Sequence, residues 1–507
     1  MELSYEVLRD KVLGCWNGKN IGGVLGAPLE GQRQVNDVSF YLQDLNGNPP
    51  PNDDLDLQLV WLNAVERFGR QVNASVLGEY WLSYIIPFWV EYGTGKTNLA
   101  AGLVPPLSGH VENDYRNSCG CFIRSELWAC LCPGHPELAA RYAYEDAIVD
   151  HGGEGMYAEI FCAAMQSAAF VETDRDQLIE IGLSYIPENC AVAKAVRIAL
   201  DCYGQNVSWK EARHRILSEV PGNFGIQFTK IKDIKDDYPY GEPGFDAPSN
   251  IGLMIIGWLY GENDFAKSLC IAVNCGEDTD CTAATLGAIF GIIYGDSGLP
   301  KEWKEPLGGV INTCCINRLN NIDIPNTVDE LTDRVLFAIP GFLGRAYYNN
   351  GQVTTAEELT CETGDVYVPL TNGASKPKDL PIDQLLKLSP YAVKYDFPTF
   401  FAVLDYQGEP NIKLNEPRKL KLTLFDNGLT CHQQWANVKL YGPEGITFPQ
   451  GTHFSAPLQS TYQYKIETEI ELLAEAFHNS KIELLIDVSI NARHTYGVIK
   501  AVLFPSF

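Results

Sequence analysis

Apolar residues fall at three- and four-residue intervals through the first two-thirds of the chain and alternate with polar ones over the last third. In 4–26, Tyr5, Leu8, Val12, Leu13 and Trp16 recur at helical spacing. That helix becomes glycine-rich at Gly14, Gly18, Gly22, Gly23 and Gly26. Glycines four residues apart leave a bare strip, along which a neighbouring helix or a ligand can approach the backbone. Helical patterns also mark 57–68, an aromatic buried helix over 76–92, and 136–171, where Ala139, Ala140, Ala143, Ala147 and Ile148 line one face. Two or three further helices lie within 177–218, followed by 250–260, 264–273, the small-residue run 283–294 and a last stretch to about 343. Gly, Pro, Asn and Asp predict loops over 45–52, 93–124 and 220–247.

From about 351 the period changes to two. Segments starting at Asp365, Phe400, Lys419, Val438, Tyr464, Ile482 and Val498 are rich in β-branched residues and separated by turn formers. Short strands in such a series predict a β-sandwich. The expected organisation is an all-α domain over 1–350 and a β-sandwich over 351–507, with no internal repeat.

The 507 residues are 46% hydrophobic and 20% charged, an ordinary globular composition for two or more domains. The formal net charge of −26 disfavours nucleic-acid and anionic-membrane partners. No basic, then apolar, leader opens the chain, and the 283–294 run is too short to span a bilayer. The 15 cysteines are odd in number and mostly in apolar context, and Cys119/Cys121 and Cys130/Cys132 lack a matching set at zinc spacing. Reduced, buried thiols in a cytoplasmic protein are expected.

Two helices start on carboxylates. Asp278 and Asp280, with Thr279 and Thr282, precede the 283–294 run, and Asp53-Asp54-Leu55-Asp56 opens the 57–68 helix. One such pair is an ordinary N-terminal cap. Two pairs brought together would repel each other unless a hard, oxygen-seeking cation such as Mg²⁺ sat between them.

Four landmarks stand in order: the glycine-rich helix ending Gly26-Ala27-Pro28-Leu29-Glu30-Gly31, then Asp53-Asp54, the alanine-rich helix before His151, and Gly276-Glu277-Asp278-Thr279-Asp280. Over 8–310 this order resembles the ADP-ribosylglycohydrolase family, which includes the dinitrogenase-reductase-activating glycohydrolase, in a divergent bacterial-type branch. The resemblance implies an orthogonally packed all-α fold, a centre of two Mg²⁺ ions (Mn²⁺ being an alternative) and hydrolysis at the anomeric carbon of ADP-ribose or a related riboside. The family's Thr-Asp-Asp-Thr stands here as Asn52-Asp53-Asp54-Leu55, and its Gly-Gly-Asp-x-Asp-Thr as Gly276-Glu277-Asp278-Thr279-Asp280-Cys281. The Asp of an early Gly-Asp-Ala-x-Gly is Gly23, and Glu30 follows. The implied metal ligands are Asn52, Asp53, Asp54, Asp278, Asp280 and, with Cys281 a poor ligand for a hard cation, Thr282. Asp54 and Glu30 are the implied catalytic carboxylates.

Ser118, Gly120 and Arg124 match a ligand-lining stretch of the family, and His151, Gly155 and Asn250 complete the implied substrate contacts. Three of these residues have plain structural alternatives: an ion pair to Glu126 or Asp146 for Arg124, a core or helix-capping role for His151, and an N-cap for Asn250. Two rival readings of function stay open. One is a glycosidase or nucleosidase using the same centre on another small-molecule sugar. The other is a non-catalytic protein, since the family also includes lens crystallins. The oligomeric state is open.

Overall fold

Ser4 starts the first long helix, its hydroxyl accepting from the Val7 amide. The computed structural model describes residues 2–220, 244–361, 380–426, 434–458, 465–491, 493–494 and 496–506. The helices are α1 Tyr5–Gly26, α2 Asp53–Phe68, α3 Ala74–Tyr84, α4 Val90–Ala101, α5 Leu107–His110 and α6 Ser125–Leu131. They continue as α7 Pro136–Ala147, α8 Gly153–Ala168, α9 Arg175–Ser184, α10 Ala191–Gly204, α11 Trp209–Glu219 and α12 Ala247–Gly261. The series ends with α13 Phe265–Asn274, α14 Thr279–Tyr294, α15 Lys301–Lys304, α16 Val328–Leu343 and α17 Ile382–Leu385. None is long and apolar enough to cross a membrane.

The helical pattern predicted along the first two-thirds is present, with two corrections. The aromatic helix stops at Tyr84, ahead of Pro87, and Ile86, Phe88 and Trp89 are exposed. A proline breaks the i→i−4 ladder, so 76–92 cannot be one helix. In the other correction, α4 occupies part of the 93–124 stretch that composition assigns to loops. Gly93 and Gly95 sit inside it because Cβ atoms there would lie 2.7 Å from the Phe88 carbonyl oxygen and 2.9 Å from Asp150 Cβ.

One contact organises the helical part. In α1 a Cβ on Gly14 would fall 2.3 Å from Gly291 O, on Gly18 2.0 Å from Gly287 O, on Gly22 2.0 Å from Ala283 O, and on Gly26 2.2 Å from Thr279 O. Positions rise by four on one helix as they fall by four on the other, so α1 and α14 run antiparallel with backbones touching. The bare strip therefore receives a helix, and the end of α1 lies beside the start of α14. Around this pair, Trp16, Trp61, Trp81, Trp128 and Trp258 are fully buried.

By contacts the chain forms two units. The first holds Met1–Thr97 and Glu112–Thr363, and the second holds Asn98–Val111 and Gly364–Phe507. Residues just past 350 belong to the helical unit: β1 Glu2–Leu3 pairs with β3 Gln352–Thr354, which pairs with β2 Tyr348–Asn349.

The remaining strands are β4 Ala392–Asp396, β5 Phe400–Asp405, β6 Asn411–Lys413, β7 Pro417–Asp426, β8 Gln434–Tyr441, β9 Ile446–Thr447, β10 His453–Leu458, β11 Lys465–Ala474, β12 Ile482–Ile490 and β13 Tyr496–Ser506. They make two five-stranded sheets, ordered β10-β8-β12-β13-β6 and β4-β5-β7-β11-β9. Alternation is regular: in β12, Ile482, Leu484, Ile486, Val488 and Ile490 are buried while Glu483 and Leu485 are exposed. Buried residues of both sheets form one apolar cluster with Leu103, Leu107 and Val111. The strand predicted at Asp365 lies outside the described residues, as does most of the 220–247 loop.

Candidate metal centre

The α1–α14 contact delivers two backbone ends to one point. Thr279 Oγ1 donates to the Gly26 carbonyl at 2.8 Å, tying the last turn of α1 to the first turn of α14. The loop after α1 then pairs with the loop before α14: Gly31 N donates to Glu277 O and Glu277 N to Gln32 O. Glu277 is buried, accepts from Arg33 Nε and Nη2 at 2.9 Å each, and has Arg213 at 3.5 Å. Its backbone φ of +67° and the +72° of Gly276 turn the chain into α14. Glu30 is thereby held beside Asp278 and Asp280.

The second acidic pair arrives on α2. Asn52 caps this helix, its Oδ1 accepting from Asp54 N at 2.8 Å, and its amide lies against Gly23, where a Cβ would be 2.3 Å from Asn52 Nδ2. Any side chain at position 23 would collide with that amide, so Gly23 and Asn52 fit each other.

Two overlapping sets of ligand atoms result. Asp54, Asp280 and Cys281 place one atom each within 4.8 Å of one another, and so do Glu30, Asp278 and Asp280. Asp280 belongs to both. Asp54 Oδ2, Asp278 Oδ1 and Asp280 Oδ1 are buried without a hydrogen-bond partner. Buried polar atoms are normally satisfied, so the unpartnered Asp278 and Asp280 oxygens, beside an Asp54 Oδ2 that faces only Lys19 Nζ at 3.6 Å, fit an oxygen-seeking cation.

The protonation tendencies agree. Burial, then repulsion from Asp278, Asp54 and Glu30, holds the Asp280 carboxyl well above the usual range. Burial and Asp278 raise Asp53 to about 6. Glu30, an exposed residue whose carboxyl is partly buried, is raised to about 8 by that burial and by Asp278 and Asp53.

Other implied residues fall into place unevenly. Asn250 is not an N-cap: it lies inside α12, fully buried, donates to the Gly244 and Asp246 carbonyls, and accepts from Asp278 N at 3.1 Å. It therefore fixes the backbone at Asp278, where α14 starts. Thr282 Oγ1 donates to Thr279 O at 3.2 Å within its own helix. Cys281 Sγ donates to Asp54 Oδ1 at 3.6 Å.

Ser118, Gly120, Arg124, His151 and Gly155 belong to a neighbouring buried network. Ser118 Oγ meets His151 Nε2 at 3.0 Å, and His151 Nδ1 meets Asp150 Oδ1 at 3.0 Å. Asp150 Oδ1 lies 2.9 Å from Arg124 Nη2, and Arg124 Nε is 3.0 Å from Asp146 Oδ1. Arg124 and His151 are fully buried. Arg124 is thus an internal ion-pair residue with no face left for a diphosphate, and His151 is a core histidine. Gly120 and Gly155 are close-approach glycines, with Glu91 Oε1 2.3 Å and Arg116 O 2.6 Å from their would-be Cβ atoms.

Residues that the sequence reading did not single out complete the centre. Lys19, on the inner face of α1, is buried with Nζ 3.1 Å from Glu126 Oε2 and 3.6 Å from Asp54 Oδ2. Burial works against its charge, but Glu126 and Asp54 outweigh that and keep it an ammonium. Tyr92, buried beside the centre, donates its hydroxyl to Gly120 O at 3.5 Å. A lysine within an apolar, glycine-rich helix was the available hint for Lys19.

A family model described as ADP-ribosylglycohydrolase covers residues 4–336. ADP-ribosylarginine hydrolase Tri1 of Pseudomonas putida (strain GB-1) is 40% identical over 47 residues, 9% of this chain and 13% of that protein. Its counterpart in Serratia proteamaculans (strain 568) is 39% identical over 49 residues, again 13% of that protein. The chain therefore matches only a small part of these relatives' length. An uncharacterized protein of Archaeoglobus fulgidus is 23% identical over 317 residues, 59% of this chain and 92% of that one. A solved ADP-ribosylglycohydrolase-related protein complex aligns with a TM-score of 0.41 at 19% identity, covering 66% of this chain and 99% of that chain.

Proposed function

Because the chain belongs to the ADP-ribosylglycohydrolase family, we propose that it is a divalent-cation-dependent glycosyl hydrolase, cleaving the glycosidic bond at the anomeric carbon of ADP-ribose or a related riboside. The observation that carries this reading is the pair of buried carboxylate oxygens without a hydrogen-bond partner on Asp278 and Asp280, beside Asp54, where α1, α2 and α14 meet. Asp53, Asp54, Asp278 and Asp280 would hold two Mg²⁺ or Mn²⁺ ions, with Asp280 shared between the two ligand sets. Such ions, when bound, neutralise the carboxylates, grip ribose hydroxyls and lower the pKa of a water.

The chain's own groups do the rest. Asn250 and the Arg33–Glu277 pair fix the α14 start. Asp54, enclosed and paired with Lys19, acts as a ligand. Glu30, the exposed carboxylate of the group, takes a proton from the attacking water while oxocarbenium-like charge develops on the ribose. The helical unit carries the chemistry, and the two sheets after it stack as an accessory β-sandwich. That stacking is supported by their shared apolar cluster.

The test is paired metal analysis and hydrolysis for the wild type, Asp54→Ala and Asp280→Ala. Both variants lose bound Mn²⁺ and activity together. Activity lost at unchanged metal content would overturn the metal account, and a wild type that binds no divalent cation would favour the non-catalytic, crystallin-like reading. Substrates should span ADP-ribosylarginine, as the Tri1 names suggest, together with nucleosides and simple glycosides. Ribose released from nucleosides without cleavage of ADP-ribosyl bonds moves the substrate class.

A further inference from the structure

Asp56 lies one residue pair beyond the metal ligands of α2 yet belongs to neither acidic set. It is fully buried. Its Oδ2 accepts from the backbone amides of Cys314 and Cys315 at 2.7 Å each, which brings that dipeptide against the helix. Its Oδ1 is buried with no hydrogen-bond partner. The two thiols lie side by side, with Sγ atoms 3.6 Å apart. Asp56, Cys314 and Cys315 each offer a ligand atom within 4.8 Å of the others.

We propose that Asp56, Cys314 and Cys315 form a second metal site, for a thiophilic divalent cation of the Zn²⁺ class, separate from the hard-cation centre. Zinc–thiolate bonds of about 2.3 Å in a tetrahedron set two sulfurs about 3.8 Å apart, close to the spacing already present. Two sulfurs and one carboxylate oxygen are the donor set of a borderline-soft ion, whereas the all-oxygen sites nearby suit Mg²⁺. Cys314 is exposed and Cys315 buried, so an ion held here has protein on one side and solvent on the other. Three protein ligands and an open fourth position are the result. Binding displaces one proton from each thiol to solvent; the two thiolates neutralise the dication, and the Asp56 carboxylate leaves the site with one net negative charge, open to solvent on the Cys314 side. The unpartnered Oδ1 supplies what a plain loop-to-helix clamp does not explain, because Oδ2 alone already anchors the dipeptide.

The experiment titrates the full chain, stripped with chelator and kept under a phosphine reductant, with Cd²⁺ as a spectroscopic stand-in for Zn²⁺. One equivalent should develop the ultraviolet thiolate-to-cadmium band. Cys314→Ser combined with Cys315→Ser should abolish the band, and Asp56→Asn should weaken binding by about tenfold or more. Asp280→Asn, which damages the other centre, should keep the band. As a measurement that needs no variant, Zn²⁺ should slow maleimide alkylation of Cys314 in the wild type. A reduced wild type without the band, a band that survives the double substitution, or alkylation unaffected by Zn²⁺ would each overturn the proposal.

Discussion

Gly22 is the position where the α1–α14 contact can be tested most sharply. A Cβ there would sit 2.0 Å from the Ala283 carbonyl oxygen and 2.3 Å from its carbon. Ordinary contact needs about 3.4 Å, so Gly22→Ala must push the helices apart by more than 1 Å. Overpacking of this kind costs about 1–3 kcal/mol, and the better helix propensity of alanine returns at most about 1 kcal/mol. The lost contacts along α14 add to the cost, because a gap that size forfeits a large share of each dispersion well. A net loss of about 1–3 kcal/mol is expected in urea unfolding followed by far-ultraviolet circular dichroism. Gly204→Ala is the control: it ends α10 with nothing within 4 Å of the added carbon, and it should be neutral or stabilising by up to about 1 kcal/mol. The same displacement moves Asp278 and Asp280 away from α2. Mn²⁺ affinity should therefore fall about tenfold, equivalent to ~1.4 kcal/mol. If Gly22→Ala were as stable as wild type and bound Mn²⁺ equally well, the argument from backbone contact would be wrong.

Lys19→Met removes a buried ammonium from between Asp54 and Glu126 and should cost about 3–5 kcal/mol without added cation. A loss below ~1 kcal/mol in urea titration would show that the pair needs no such neutralisation. Glu277→Gln leaves Arg33 and Arg213 facing a neutral group and should destabilise the protein by a similar ~3–5 kcal/mol, while Glu277→Asp recovers part of it; equal stability of the Gln variant refutes the clamp. His135 has its pKa lowered by burial, its bond to Thr354 O working the other way. Its folded pKa lies below its unfolded one, so its contribution is complete above pH ~6.5 and is lost as pH falls from there through the folded value. His135→Gln should flatten that stretch of the stability profile, and an unchanged slope would exclude the histidine.

The helices and the later strands were readable because each buries one face at its own period: β12 alternates strictly, and α1 shows its glycine strip at every fourth residue. The two acidic helix starts were readable because carboxylates before apolar runs are conspicuous. Helix α4 was not, since Gly93, Gly95, Thr94 and Asn98 read as loop; packing demands outweigh propensity there. Arg124 could equally have served a ligand or an ion pair, and only burial decides it. Asn250 and Lys19 act across more than 25 residues of sequence on Asp278 and Asp54, distances over which local pattern carries no information.

The path of the chain between its two units has a consequence for how the protein is made. Leu103, Leu107 and Val111 leave a ribosome early, yet their apolar cover comes from strands after residue 390. Until those strands exist, the emerging helical part carries a bare hydrophobic hook. A chain shortened at 363 keeps the hook permanently and would be expected to aggregate, however sound its metal centre. The later strands, expressed alone, would lack three members of their own core. Neither unit can be separated by one cut, and the order of synthesis leaves the 98–111 segment waiting for strands that are made last.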